Sequence, residues 1–266
     1  MTALPRARKR FGQHFLEPAW VAKLLDAVAP APDDVFLEIG PGRGALTKPL
    51  AARVHRIVAV EIDRDLAAHL RAELPSSVRV AEGDFLEANL DELLRDEPKP
   101  VRVIGNLPYN VSSPILFKLL RGASEGRLLA DATLMLQREV ADRLVAEPGT
   151  GEYGVLGIQV SLLADVERLL TLPPGAFRPL PKVTSAVVRL RFRSQREDVG
   201  DLLTFERLVR GIFLQRRKTT LNALKPVAAT FGHSAAQLLA GAEVDGSKRP
   251  EELTLSDIAR LSRAVL

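Results

Sequence analysis

Short apolar runs rich in β-branched residues recur through the first part of the chain: Val35 to Ile39, Ile57 to Val60, Val78 to Ala81, Val101 to Ile104 and Ala132 to Leu136. Between them the apolar side chains take helical spacing, as in Leu66 to Leu74 and Ile115 to Leu120. This alternation of strand and helix predicts a parallel sheet with helices on both faces. Further on the pattern changes. Thr184 to Phe192 alternates Arg189, Arg191 and Arg193 with apolar residues after the proline-rich Pro173 to Pro181, which predicts an antiparallel hairpin closing the sheet. The polar stretch Ser194 to Gly200 reads as a linker, and beyond it only helical periodicity remains, in Phe205/Leu208/Val209/Ile212 and Leu255/Ile258/Leu261. The expected organisation is an α/β domain over residues 1–194 and a small all-helical domain over 201–266.

Composition narrows the chemistry. With 266 residues and 46% hydrophobic content the chain can bury a sizeable core. Its apolar runs are too short to span a bilayer, and residues 1–16 lack the apolar stretch of a signal peptide, so a cytoplasmic location without a membrane partner is expected. The absence of cysteine excludes disulfides, thiolate metal clusters and a cysteine nucleophile, including the one that opens C5 methylation of pyrimidines. His14, His55, His69 and His233 fall at no metal-ligand spacing, and no metal is expected. The formal charge is +4, but it is concentrated: Arg6, Arg8, Lys9 and Arg10 form one basic run, and nine basic against four acidic side chains lie between Arg189 and Lys218. Such clusters suit phosphate contacts and solvated surfaces alike.

The first strand runs straight into Gly40-Pro41-Gly42-Arg43-Gly44, ahead of the helical Ala45 to Ala52. A glycine turn between strand and helix lets a ligand approach the backbone. The spacing is G-x-G-x-G rather than the G-x-G-x-x-G that seats a pyrophosphate. The second strand ends in Glu61, placed to accept hydrogen bonds from a ribose diol, and the third is followed by Gly83-Asp84-Phe85, where a carboxylate can take an adenine amine beneath an aromatic ring. Glycine turn, acid and acid at three successive strand ends match the nucleoside site for S-adenosylmethionine, a cofactor without pyrophosphate; capping of the following helices is the alternative for each acid alone.

The fourth strand ends at Gly105 and is followed by Asn106-Leu107-Pro108-Tyr109. The exocyclic amine of adenine is a poor nucleophile, because its lone pair is delocalised into the ring. An Asn side-chain carbonyl and a backbone carbonyl can hold its two hydrogens and favour the positive charge that builds on nitrogen during attack on a methyl group. Pro108 stiffens the loop, and Tyr109 offers a flat face worth about 1–3 kcal/mol to a stacked base.

Taken together, the residues Arg8 to Leu16, Glu38 to Gly44, Asn106 to Tyr109, Gln137 to Ala141, Phe177 to Leu190 and Gln215 to Thr219 resemble the KsgA (RsmA) family of small-subunit rRNA adenine dimethyltransferases over nearly the whole chain. The resemblance implies a class I S-adenosylmethionine-dependent methyltransferase fold, Rossmann-like with a mainly parallel seven-stranded sheet, followed by a helical RNA- or ribosome-binding domain. It implies dimethylation of two adjacent adenosines in the loop of the 3′-terminal hairpin of 16S rRNA in the small ribosomal subunit, by a monomer. It places cofactor contacts at His14, Leu16, Gly40, Glu61, Asp84 and Asn106, and a catalytic set of Asn106, Leu107, Tyr109 and Phe177, with Phe177 stacking on the base opposite Tyr109. The family usually has Asn where this chain has His14. That ring can still donate and accept, and its protonated form would be repelled by the cofactor sulfonium. Two rival expectations are a 23S rRNA adenine methyltransferase of the macrolide-resistance type and an assembly factor whose binding role outweighs catalysis.

Overall fold

The computed structural model describes residues 14–126 and 128–266; the basic run from Arg6 to Arg10 and the start of the N-terminal motif lie outside the described residues. In chain order come β1 (Phe15–Leu16), α1 (Pro18–Val28), β2 (Val35–Ile39), α2 (Thr47–Ala51), β3 (Arg56–Glu61), α3 (Arg64–Glu73), β4 (Val78–Glu82), α4 (Leu90–Leu93), β5 (Val101–Asn106), α5 (Ser112–Gly126) and β6 (Leu129–Gln137). They are followed by α6 (Arg138–Leu144), α7 (Val155–Leu163), β7 (Ala164–Leu172), β8 (Phe177–Arg178), β9 (Ser185–Phe192), α8 (Leu202–Phe213), α9 (Thr220–Thr230), α10 (Ala235–Gly241) and α11 (Leu255–Ala264).

Seven strands form one sheet in the order β4-β3-β2-β5-β6-β9-β7. The pairings from β4 across to β6 are parallel, and β9 runs antiparallel to β6, with Ser185 opposite Gln137. This is the mainly parallel seven-stranded sheet expected above. All five residues of β2 are buried, which accounts for a strand apolar at every position but Glu38 rather than alternating. The chain order reverses at β2: β3 and β4 extend the sheet one way, β5 and β6 the other. In such a sheet the crevice opens at the carboxyl ends of the strands flanking the reversal.

The chain folds as two compact units, one of residues up to 141 with 165–192, the other of residues 142–164 with 193–266. The second unit therefore differs from an appendage beginning near residue 201. Its additional segment carries α7, whose Ile158, Val160 and Leu162 are buried and which packs on α8 and α11. A helix apolar on every side shows no face preference, so its allegiance is not written in its periodicity. Within this unit Phe205, Leu208, Val209 and Ile212 of α8 are buried, as are Ile258 and Leu261 of α11. The Asp201 side chain caps α8 by accepting from the Thr204 N–H at 2.8 Å. At Gly211 a Cβ would stand 2.6 Å from Val227, so the absence of a side chain sets how closely α8 and α9 approach.

The cluster Gln215 to Lys218 lies in the turn between α8 and α9. The helix stops at Phe213, and the Lys218 N–H closes onto the Gln215 carbonyl at 2.8 Å before Thr219 opens the next helix. Much of the basic stretch is also engaged internally. Arg189 and Arg191 both pair with Glu167, Arg207 lies over the Phe231 ring, and Arg216 donates to the Gly151 carbonyl. Among the described residues, the Arg217 and Lys218 side chains of this cluster make no such contact.

Candidate active site

The predicted site residues converge at the carboxyl ends of β2, β3, β4 and β5. Gly40, Gly42 and Gly44 take φ values of +69°, +60° and +74°, a left-handed backbone that favours glycine. Gly42 has a second reason: a Cβ there would meet the Phe15 ring at 2.9 Å, so β1 lies directly over the turn. The Glu61 carboxylate ties the turn to β3, accepting from the Gly42 N–H and the Asp63 N–H, each at 2.9 Å. Burial pushes its pKa up, against the lowering effect of those two N–H groups. The cap of α3 is Asp63, which accepts from the Asp65 N–H, so Glu61 is not the capping residue.

Asp84 does have a structural task. Its Oδ1 accepts from the Leu86 N–H at 2.8 Å, which leaves Oδ2 without that duty. Beside it, the ammonium of Lys118 donates to the Leu86 carbonyl and stands 5.2 Å from the centre of the Phe85 ring. Asp84, Phe85, Gly83 and Ile115 line one cavity, and His14, Leu16, Glu38, Glu61, Asn106 and Tyr109 line a second. Gly40, Ile62 and Pro108 line both, so the two adjoin.

At the end of β5 the Asn106 amide nitrogen donates to the His14 carbonyl oxygen at 2.6 Å. That bond fixes the amide and reserves Oδ1 as an acceptor. Leu107 is buried, with its N–H on the Met135 carbonyl at 3.3 Å. The Tyr109 hydroxyl shares a hydrogen bond of 2.8 Å with the Ser185 hydroxyl. His14 holds a third position: its ring lies nearly parallel to Tyr109, with centroids 5.9 Å apart, and its Nδ1 is 2.7 Å from the Pro179 carbonyl. A carbonyl only accepts, so Nδ1 carries the proton.

Phe177 is not brought into this group. Its ring is 1% exposed and sits in the apolar core with Leu16, Leu24 and Val187, and it does not line the cavity that Tyr109 lines. The cause is the two-residue ladder pairing Phe177 with Leu16.

Sequence reasoning missed Ile62, Lys118 and Glu38. Ile62 directly follows the acid of β3, and its exposed apolar side chain is the signal. Glu38 is the one charged residue in the run Val35 to Ile39. It is 2% exposed, and its Oε2 has no hydrogen-bond partner among the described residues. Burial, with a contribution from Glu61 and against the neighbouring Thr47, pushes its pKa up to about 7.

A family model described as ribosomal RNA adenine dimethylase matches residues 5–264. The chain belongs to this family. Among its relatives are proteins named ribosomal RNA small subunit methyltransferase A: that of Aromatoleum aromaticum is 42% identical over 98% of this chain and 94% of its own, that of Chromobacterium violaceum 45% over 96% and 94%. Solved structures agree. A dimethyladenosine transferase from Plasmodium falciparum superposes with a TM-score of 0.76 at 26% identity, covering 93% of this chain and 96% of its own. The 23S rRNA methyltransferase ErmE gives 0.67 at 28%, covering 94% and 99%. The methyl donor of this rRNA adenine dimethylase is S-adenosylmethionine. The residues present fit it: at Gly40 a Cβ would have no atom within 4 Å, leaving open backbone beside Glu61, and the Asp84 cavity adjoins. No group of three or more His, Cys, Asp or Glu among the described residues could hold a metal, and no helix among them is long and apolar enough to cross a membrane.

Proposed function

We propose that this protein dimethylates the N6 amines of two adjacent adenosines in the loop of the 3′-terminal hairpin of 16S rRNA, on the small ribosomal subunit. The observation that carries the reading is the tie between Asn106 and the His14 carbonyl, which leaves the Asn106 Oδ1 as an acceptor beside Tyr109 and next to the nucleoside cavity. When bound, S-adenosylmethionine supplies an electrophilic methyl group. Glu61 would hold the ribose, Asp84 the adenine amine of the cofactor, and His14, Leu16 and Gly40 the rest of it.

Asn106 Oδ1 and the Leu107 carbonyl accept the two amine hydrogens of the target adenine, which draws the nitrogen lone pair out of conjugation. Tyr109 carries the base on its face, and its hydroxyl, held by Ser185, keeps the ring from turning. The bound cofactor would supply the methyl group to N6, while the Asn106 and Leu107 carbonyls hold the amine hydrogens, one of which would leave to water. Phe177 serves as the opposing plate only if its ring turns out of the core when RNA enters.

In this reading the protein acts as a monomer in the cytoplasm, where small subunits are assembled. The helical unit, residues 142–164 with 193–266, supplies contacts to rRNA through Arg217 and Lys218. Supplying labelled S-adenosylmethionine with undermethylated small subunits and, separately, large subunits, then mapping the label, tests the assignment. Label confined to the small-subunit hairpin is expected. Label on large subunits alone would identify a 23S rRNA methyltransferase instead.

A further inference from the structure

From the end of β8 to β9 the chain reads Arg178-Pro179-Leu180-Pro181-Lys182-Val183-Thr184, and two of its apolar side chains are held out of the core: Leu180 is 60% exposed and Val183 42%. Slack does not explain this. The Pro179 carbonyl is bonded to His14, the Thr184 carbonyl accepts from the Arg138 N–H at 3.0 Å, Pro181 is buried, and the next residue, Ser185, holds the Tyr109 hydroxyl. The loop is thus pinned to both rings that frame the base cavity. Exposed cationic side chains, Arg178 and Lys182, alternate with the two apolar ones.

We propose that this loop is a wedge that enters the RNA stack as the target adenosine leaves it, a role that rests on the function proposed above. An adenosine drawn into the cavity vacates a slot between two apolar base faces, and unstacking costs energy that something must offset. Leu and Val are shaped to fill such a slot, as apolar side chains do between base steps elsewhere. Lys182, and Arg178 beside its partner Glu17, supply cationic side chains for the phosphates flanking the slot. Mixed apolar and cationic character suits a nucleic acid strand, and the commitment is to RNA adjoining the target nucleotide rather than to a ribosomal protein.

The test uses the full chain with small subunits carrying 2-aminopurine next to the target adenosine, whose fluorescence rises on unstacking, with S-adenosylhomocysteine as an unreactive cofactor for fluorescence and binding and S-adenosylmethionine for turnover. Leu180→Ser with Val183→Ser is compared with the parent and with Leu180→Met. The wedge predicts a fluorescence rise at saturation that is about fivefold smaller in the double variant, a Kd for subunits changed less than threefold, and a kcat about tenfold lower, all restored towards the parent by Met. An unchanged rise and unchanged kcat overturn the proposal. So does a weakened Kd with an undiminished rise, which would mark a docking contact with protein. Parent enzyme inactive on small subunits would refute the proposed substrate itself, a result distinguishable from failure of the wedge alone.

Discussion

Asn106 concentrates the chemistry in one side chain, because a single amide both anchors to the His14 carbonyl and offers the acceptor for the target amine. Asn106→Ala is expected to lower kcat by about 10²–10³-fold while leaving subunit binding near the parent value; labelled methyl transfer and a binding assay measure the two. Methylation that persisted would refute the mechanism. Glu38 predicts a pH effect. Its folded pKa stands near 7 against an ordinary 4.5, so between those values the folded protein keeps a proton the unfolded chain gives up. Stability therefore falls as pH rises from 4.5 to about 7 and levels off above it. Glu38→Gln should flatten that slope and stabilise the protein at pH 8 by about 3 kcal/mol, read from denaturant melts at pH 5 and 8. At this scale the sequence was most informative where a residue type breaks its surroundings, as at Glu61, Asp84 and Asn106. His14 and Ser185 escaped as partners of Asn106 and Tyr109, since those contacts span 92 and 76 residues.

Elements differ in how openly the sequence declares them. The buried strands β2, β3 and β5 are short runs of β-branched residues, and their ends were readable within a residue or two. Strand β7 was not readable: it sits at the sheet edge, reads Ala164-Asp165-Val166-Glu167-Arg168, and earns its place through Glu167 pairing with Arg189 and Arg191 across to β9. In the helical unit the contact between α8 and α9 depends on Gly211. Gly211→Ala should raise the intrinsic helix propensity of α8 yet destabilise the protein by about 1–3 kcal/mol, because Val227 must be pushed aside. An increase in thermal stability would show that the helices can part without cost. Asp201→Ala, which removes the cap of α8, should cost about 1 kcal/mol in the same measurement.

For the whole molecule, counting charges overstated the surface open to RNA, since several of the arginines between Arg189 and Lys218 are occupied inside the protein. Arg217 and Lys218 are what the turn between α8 and α9 still offers. Replacing both with Ala should weaken RNA binding at every salt concentration and reduce the slope of log K against log salt by about 1.4–1.8, with the number of methyl groups added per bound subunit unchanged. A slope equal to that of the parent would remove the turn from the contact surface.

The path of the chain through its two units bears on how the protein is made. The polypeptide enters the second unit at residue 142, returns to the sheet at 165 and leaves it again after 192. While the protein is still being synthesised, β6 waits as an open edge for β9, and the apolar α7 waits for α8 and α11. Until β9 emerges a nascent chain shows an unpaired strand and a greasy helix together, the state that chaperones engage. A protein cut after residue 194 would pair β9 with β6 yet leave the apolar α7 without α8 and α11, a sticky folding intermediate instead of a smaller enzyme.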